Sequence, residues 1–162
     1  MYTMIRILPM DKEYEFDGLT IIDVQTNFFL KELPSRKDEN GQGKYCYKSH
    51  GMKAEEGSTL VLFQYDNKII ACAKLNRIIK FDMPNDVYHG AFYFEPNTIK
   101  IFEPVTNEDI RSDFHCEIKF GQVKHILNVK YIDNFLNRLK NIKNVNMNNL
   151  QVNENSTCPP NS

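Results

Sequence analysis

Apolar positions are densest in residues 57–75 (GSTLVLFQYDNKIIACAKL), and one polar pair divides them. Residues 59–65 (TLVLFQY) are rich in β-branched and aromatic side chains, Asp66-Asn67 follows, and residues 68–75 (KIIACAKL) resume the run. Two β-type runs joined by two residues that tolerate positive φ predict a β-hairpin. Residues 69–73 are almost continuously apolar, which predicts a strand covered on both faces. The small side chains of Ala71, Cys72 and Ala73 predict close packing against something bulky. This hairpin is the expected centre of one domain.

The remaining pattern surrounds it. Residues 1–9 (MYTMIRILP) read as a first strand closed by Pro9. Ile21, Ile22, Val24, Phe28, Phe29 and Leu33 recur at helical spacing, which predicts a helix over 19–32 ended by Pro34, although Thr20, Ile21, Ile22 and Val24 also suit a strand. Residues 35–44 (SRKDENGQGK) read as a loop, 77–86 as a connector with a turn at Pro84-Asn85, and 87–95 (VYHGAFYFE) as a strand with a possible bulge at Gly90. Residues 98–102 (TIKIF) alternate as a strand that Pro104 breaks. Thr106 with Asp109 resembles a capping box, predicting a short helix over 107–112. Residues 120–127 are ambiguous. From Val129 onward, Ile132, Phe135, Leu136 and Leu139 share one helical face, and most of the charges fall on the other. The expected fold is α+β: about five or six strands in a small barrel or curled sheet, with two or three helices. One domain spans 1–141. The Asn-rich, weakly hydrophobic 142–162 reads as a disordered tail or linker, which hints that the module is related to a longer protein.

Composition narrows the function classes. The 162 residues carry 41% hydrophobic and 25% charged side chains, ordinary for a soluble globular domain long enough to bury a core. A net charge of −1 leaves no bulk footprint for nucleic acid or membrane, so any such binding needs a local patch. Cys46, Cys72, Cys116 and Cys158 show no CxxC spacing and read as free thiols in a reducing cytoplasm. No signal peptide and no 18-residue apolar run is visible, so a cytoplasmic setting without a membrane is expected. The sequon at Asn155 matters only in a secreted protein. No phosphate loop, dinucleotide fingerprint, zincin helix or nucleophile elbow is present. His50, His89, His115 and His125 lack paired metal spacing, and His115-Cys116 alone is a slight metal cue. No metal, cofactor or catalytic constellation is expected.

One set of motifs resembles a family. Gly51-Met52-Lys53 is followed by Gly57, then Leu60-Val61-Leu62-Phe63 and Tyr65, a turn, and the apolar strand at 69–75. This is similar to the M-K-x-G-D-x-V-L-F-Y signature and hairpin of PUA-like domains of the EVE and ASCH type. Residues 90–104 (GAFYFEPNTIKIFEP) resemble the strand-turn-strand that closes such modules, and the order is similar to the base-reading module of modification-dependent HNH restriction enzymes. The chain departs from the pattern at Ser58, where Asp is usual. It also has two extra residues before Gly57 and lacks the Trp common in the family's cages.

The resemblance spans about residues 40–140. It implies a PUA-like β-barrel that binds DNA or RNA and holds a flipped, often modified, base, as EVE, YTH and SRA domains do. A defence or restriction setting on DNA is the form this takes first, with RNA metabolism as the alternative.

The segment that lines the pocket in EVE-like domains matches Tyr45, Tyr47, Lys48, Ser49 and His50 here. A flipped base must regain a few kcal/mol through stacking and edge hydrogen bonds. Tyr45 or Tyr47 would stack, and Ser49 and His50 would read the base edge or a phosphate. Lys53 belongs to the same motif. Tyr65 and Tyr93 could line the barrel mouth, and Arg36, Lys37 and Lys44 could meet phosphates. Tyr45→Ala or Tyr47→Ala is then expected to weaken binding with the fold intact.

Each reading has a plainer rival. Tyr45 and Tyr47 fit one face of a core strand, His50 a surface histidine, Tyr65 and Tyr93 core aromatics, and the cations a solvated surface. Two other functions stay open. One is an ASCH-like ribonuclease using Lys48 and His50 as acid and base. The other is a protein-interaction domain, consistent with the near-neutral charge.

Overall fold

The computed structural model describes residues 1–142 apart from Ser49 and Asp86. The tail expected at 142–162, the sequon and Cys158 lie outside the described residues, except for Ile142 itself.

The chain folds as α+β around one mixed sheet. The first strand, β1 (Met4–Pro9), leads through residues 10–20, which include one 3-10 turn (Tyr14–Phe16), to α1, a continuous helical run over 21–35. Thr20 and Asp23 form a reciprocal capping box at its start, and the middle stretch, Val24–Glu32, is wound as a π-helix. Pro34 does not end this helix; the run continues through it to Ser35. A two-stranded ribbon, β2 (Lys37–Asp38) and β3 (Gly41–Gln42), occupies the expected loop. Then come β4 (Lys44–Tyr47), β5 (Thr59–Tyr65), β6 (Lys68–Lys80), β7 (Gly90–Phe94) and β8 (Lys100–Val105). The helix α2 (Asn107–Phe114), the short β9 (Ile126–Leu127) and the helix α3 (Ile132–Asn141) complete it.

The β5–β6 hairpin is central, as the pattern predicts. Asp66 and Asn67 both take positive φ (53° and 61°), the turn geometry that matches strand twist. Strand order is β4-β7-β6-β5-β1-β9, with β8 also paired to β6. β1 runs parallel to β5 and antiparallel to β9. Alternate residues of β5 enter opposite cores: Val61, Phe63 and Tyr65 pack with Phe28 and Phe29 of α1, whereas Leu60 and Leu62 pack with Phe114 and Phe135 of α2 and α3. The sheet is therefore covered on both sides, and residues 69–73 are all buried.

Two polar devices fix the layers. The Gln25 side-chain amide, 3% exposed, donates to the Ile70 and Phe102 carbonyls (3.0 and 2.8 Å), tying α1 to β6 and β8. Arg138 grips the Asp113 carboxylate with two bonds (2.7 and 3.0 Å), clasping α3 to α2.

Three further expectations need correction. Residues 77–80 are strand, not connector, because β7 pairs β6 from Leu75 to Lys80. Pro104 does not break β8; it sits where the ladder to β6 skips from Ile101 to Val105, on a strand with one free edge, where a missing N–H costs nothing. The sheet does not close into a barrel. It curls instead: Leu8 and Pro9 of β1 and Cys46 and Tyr47 of β4, far apart in strand order, line one cavity.

Asp38 anchors the β2–β3 ribbon to the sheet. Its carboxylate accepts from the Tyr93 hydroxyl (2.8 Å), the Asn40 N–H (2.8 Å) and the Lys44 ammonium (3.0 Å). Burial pushes this carboxyl up, but the three hydrogen bonds and the Lys44 charge outweigh it and hold it below the usual carboxylate range. A depressed folded-state pKa contributes stability that is present above the ordinary carboxylate pKa and lost as pH falls through the lowered value. Thermal melts against pH are expected to show Asp38→Asn less stable than wild type at neutral pH, with the gap closing below about pH 4. An unchanging gap would remove the carboxylate from the anchor.

Candidate functional site

The curl leaves an opening between the end of β1 and the free edge of β4. Pro9 ends β1, and residues 11–16 (DKEYEF) face β4 across that opening. Between them lies a cavity of about 80 Å³. At roughly 15 Å³ per water it holds about five, the scale of one small ring.

Tyrosines and carboxylates dominate the lining. Tyr45 (7% exposed) and Tyr47 (9%) form its floor, Tyr14 (58%) stands at the mouth, and Tyr88 also lines it. Tyr45 packs against Phe63 (5.8 Å between centroids) and Phe28 (5.9 Å), and burial pushes its hydroxyl far above the ordinary tyrosine range. Tyr47 packs against Phe92 at 4.8 Å. A β-carbon on Gly90 would stand 2.1 Å from the Tyr47 hydroxyl, so the glycine makes room for the ring. Among the described residues, no hydrogen bond reaches the hydroxyls of Tyr14, Tyr45, Tyr47 or Tyr88. Tyr14 is held at φ 56°, a conformation that strains a bulky residue.

The charges at the rim are paired. The Lys48 ammonium lies 4.1 Å from the Tyr14 ring centroid, binds the Asp11 carboxylate and sits 3.8 Å from Glu13. Burial alone would lower its pKa, but the Asp11 hydrogen bond and the Asp11 and Glu13 charges outweigh it and raise it. Such a lysine stays protonated at neutral pH and cannot serve as a general base. Arg36 is likewise engaged, with Glu15 at 2.5 Å and Glu32 at 3.1 Å.

Of the residues singled out from sequence, Tyr45, Tyr47 and Lys48 come together here. Tyr65 and Tyr93 do not: each is 1% exposed, and their hydroxyls donate to the Leu19 carbonyl (2.7 Å) and to Asp38. They are core residues rather than a mouth. His50, Lys53 and Lys37 are exposed, and Ser49 lies outside the described residues. The expectation that Tyr45→Ala or Tyr47→Ala spares the fold fails, because both rings are buried in the core cluster. Sequence reasoning missed Asp11, Glu13, Tyr14, Glu15 and Tyr88. The available signal was an acidic run holding an aromatic, set directly after a strand-ending proline.

A broader open groove of about 540 Å³, lined by Asn67, Arg111, Lys119 and Phe120, lies by the hairpin turn. Its arginine is spent on the Ile118 carbonyl at 2.7 Å. Among the described residues no cluster of three metal-ligating side chains occurs, and no helix is long and apolar enough to cross a membrane. No family model, curated protein or solved structure matches the chain.

Proposed function

We propose that this chain is a non-enzymatic nucleic-acid-binding module of PUA-like kinship, holding a single extruded base in the tyrosine-lined cavity. A modified base in foreign DNA is the substrate class we favour. One observation carries the reading: a cavity of about 80 Å³, matched to one ring, opens where the segment after residue 44 meets the seam of a curled sheet. Tyr47 and Tyr14 offer aromatic faces, and the tyrosine hydroxyls, without a partner among the described residues, offer hydrogen bonds to a base edge. The carboxylates at the rim would repel a phosphate, so backbone contacts fall to exposed Lys37, His50 and Lys53 rather than to Lys48 or Arg36.

A second reading rests on a specific contact. Lys48 already holds an ammonium over Tyr14 and between carboxylates. The same rim suits a lysine or arginine side chain of a protein partner.

Fluorescence anisotropy at two salt concentrations separates the readings. The panel is single- and double-stranded DNA and RNA, plain or carrying 5-methylcytosine, 5-hydroxymethylcytosine or N6-methyladenine, with a basic peptide alongside. Preference for one modified base supports the base reader. Salt-sensitive binding without preference leaves a general nucleic-acid binder. Peptide binding with no oligonucleotide retained at low salt favours the protein-interaction reading.

A further inference from the structure

The ladder of β4 determines which of its peptide groups meet the cavity. Phe94 N–H donates to the Gly43 carbonyl and His89 N–H to the Tyr47 carbonyl, both at 2.9 Å. Peptide groups alternate sides along an antiparallel strand, so residues 45 and 47 turn theirs toward β7, whereas Gly43 at the strand's start gives its carbonyl to Phe94 and its N–H to the Arg36 carbonyl at 2.8 Å. Residues 44 and 46 turn theirs to the opposite side, where among the described residues no strand follows, because β4 is the end strand of the sheet they form. Lys44 N–H closes weakly on the Arg36 carbonyl at 3.4 Å. Among the described residues Cys46 has no strand to meet on that side, and it lines the cavity.

We propose that the free N–H and C=O of Cys46 read the ring. This rests on the base-binding reading above and names the chemistry of its ligand: a planar heterocycle with an acceptor and an N–H donor side by side on one edge. Such an edge pairs with Cys46 as a neighbouring strand would, donor to carbonyl and acceptor to N–H. The strand holds both groups rigidly in one plane, with Tyr47 below and Tyr14 at the mouth, so the ring is read and stacked together. Rings methylated on the edge nitrogen lose the donor and are excluded.

Two variants and one spectrum test this. Cys46→Ala keeps the N–H; Cys46→Pro removes it at an edge position where proline is tolerated. With the best-binding short oligonucleotide of the panel, Cys46→Pro is expected to bind about tenfold more weakly than Cys46→Ala, a comparison that isolates the N–H from the side chain. In wild type, the Cys46 amide proton is expected to shift on titration, a readout that holds even if the proline variant fails to fold. Saturable binding that moves the Tyr14 and Tyr47 ring resonances but leaves the Cys46 amide unmoved would overturn the proposal and spare the base reader. Absence of binding to every oligonucleotide would overturn both.

Discussion

Gly43→Ala is expected to cost about 3 kcal/mol or more and to lower the melting temperature by about 10 °C. Gly43 sits at φ 64°, and a β-carbon there would stand 2.1 Å from the Phe94 carbonyl oxygen and 2.9 Å from its carbon. The left-handed backbone alone costs a non-glycine residue about 1–2 kcal/mol. The clash adds more, because the opposing atoms are backbone and no rotamer change can clear them. The same close approach carries the Phe94 N–H to Gly43 bond that starts β4, so the damage falls on the strand that floors the cavity. Gly57 supplies the control: its φ is 84° with nothing within 4 Å of the added carbon. Gly57→Ala should therefore show the backbone cost alone. Equal melting temperatures for the two variants would mean that β4 and β7 separate more easily than this packing implies.

The second large effect is on binding. Tyr14→Gly is expected to weaken oligonucleotide affinity roughly five- to hundredfold, the loss of about 1–3 kcal/mol of stacking. Stability should change by no more than about 1 kcal/mol, because relief of the positive φ offsets the added freedom of glycine. Tyr14 is 58% exposed, so little packing is lost. Tyr47→Ala cannot serve this purpose. Removing a large buried ring costs about 3–5 kcal/mol and would weaken binding through the fold. Tyr47→Phe keeps the ring and tests the hydroxyl alone. Wild-type affinity in Tyr14→Gly, with the fold intact by circular dichroism, would remove the stacking face from the proposed site.

What the sequence discloses follows from how local each cause is. The β5–β6 hairpin is legible because Asp66 and Asn67 accept positive φ wherever they stand. The start of α2 is legible because Thr106 and Asp109 cap it reciprocally within three residues. The tail of β6 is not: Asn76, Arg77 and Lys80 are exposed, and their strand conformation comes from pairing with β7. Tyr65 and Tyr93 could not be assigned from pattern either, since their hydroxyls find partners 46 and 55 residues away. The alternation of Tyr45 and Tyr47 marks one strand face, but only the curl turns that face into the floor of a cavity. Residues 11–15 read as a solvated charge run until β1 is seen to end opposite β4.

The parallel pairing of β1 bears on how the molecule comes together in time. Ile5 lies beside Leu60 on one side and Leu127 on the other, so the earliest strand of the chain joins partners from its middle and its far end. Such high contact order slows folding, because each pairing closes a long loop before it is rewarded. The β5–β6 hairpin, closed by two residues, forms first and offers the edge on which β1 docks. During synthesis β1 must wait, unpaired, until the hairpin has left the ribosome. The seam beside Pro9 is then among the last regions to organise, and destabilising substitutions in β1 should speed unfolding more than they slow folding.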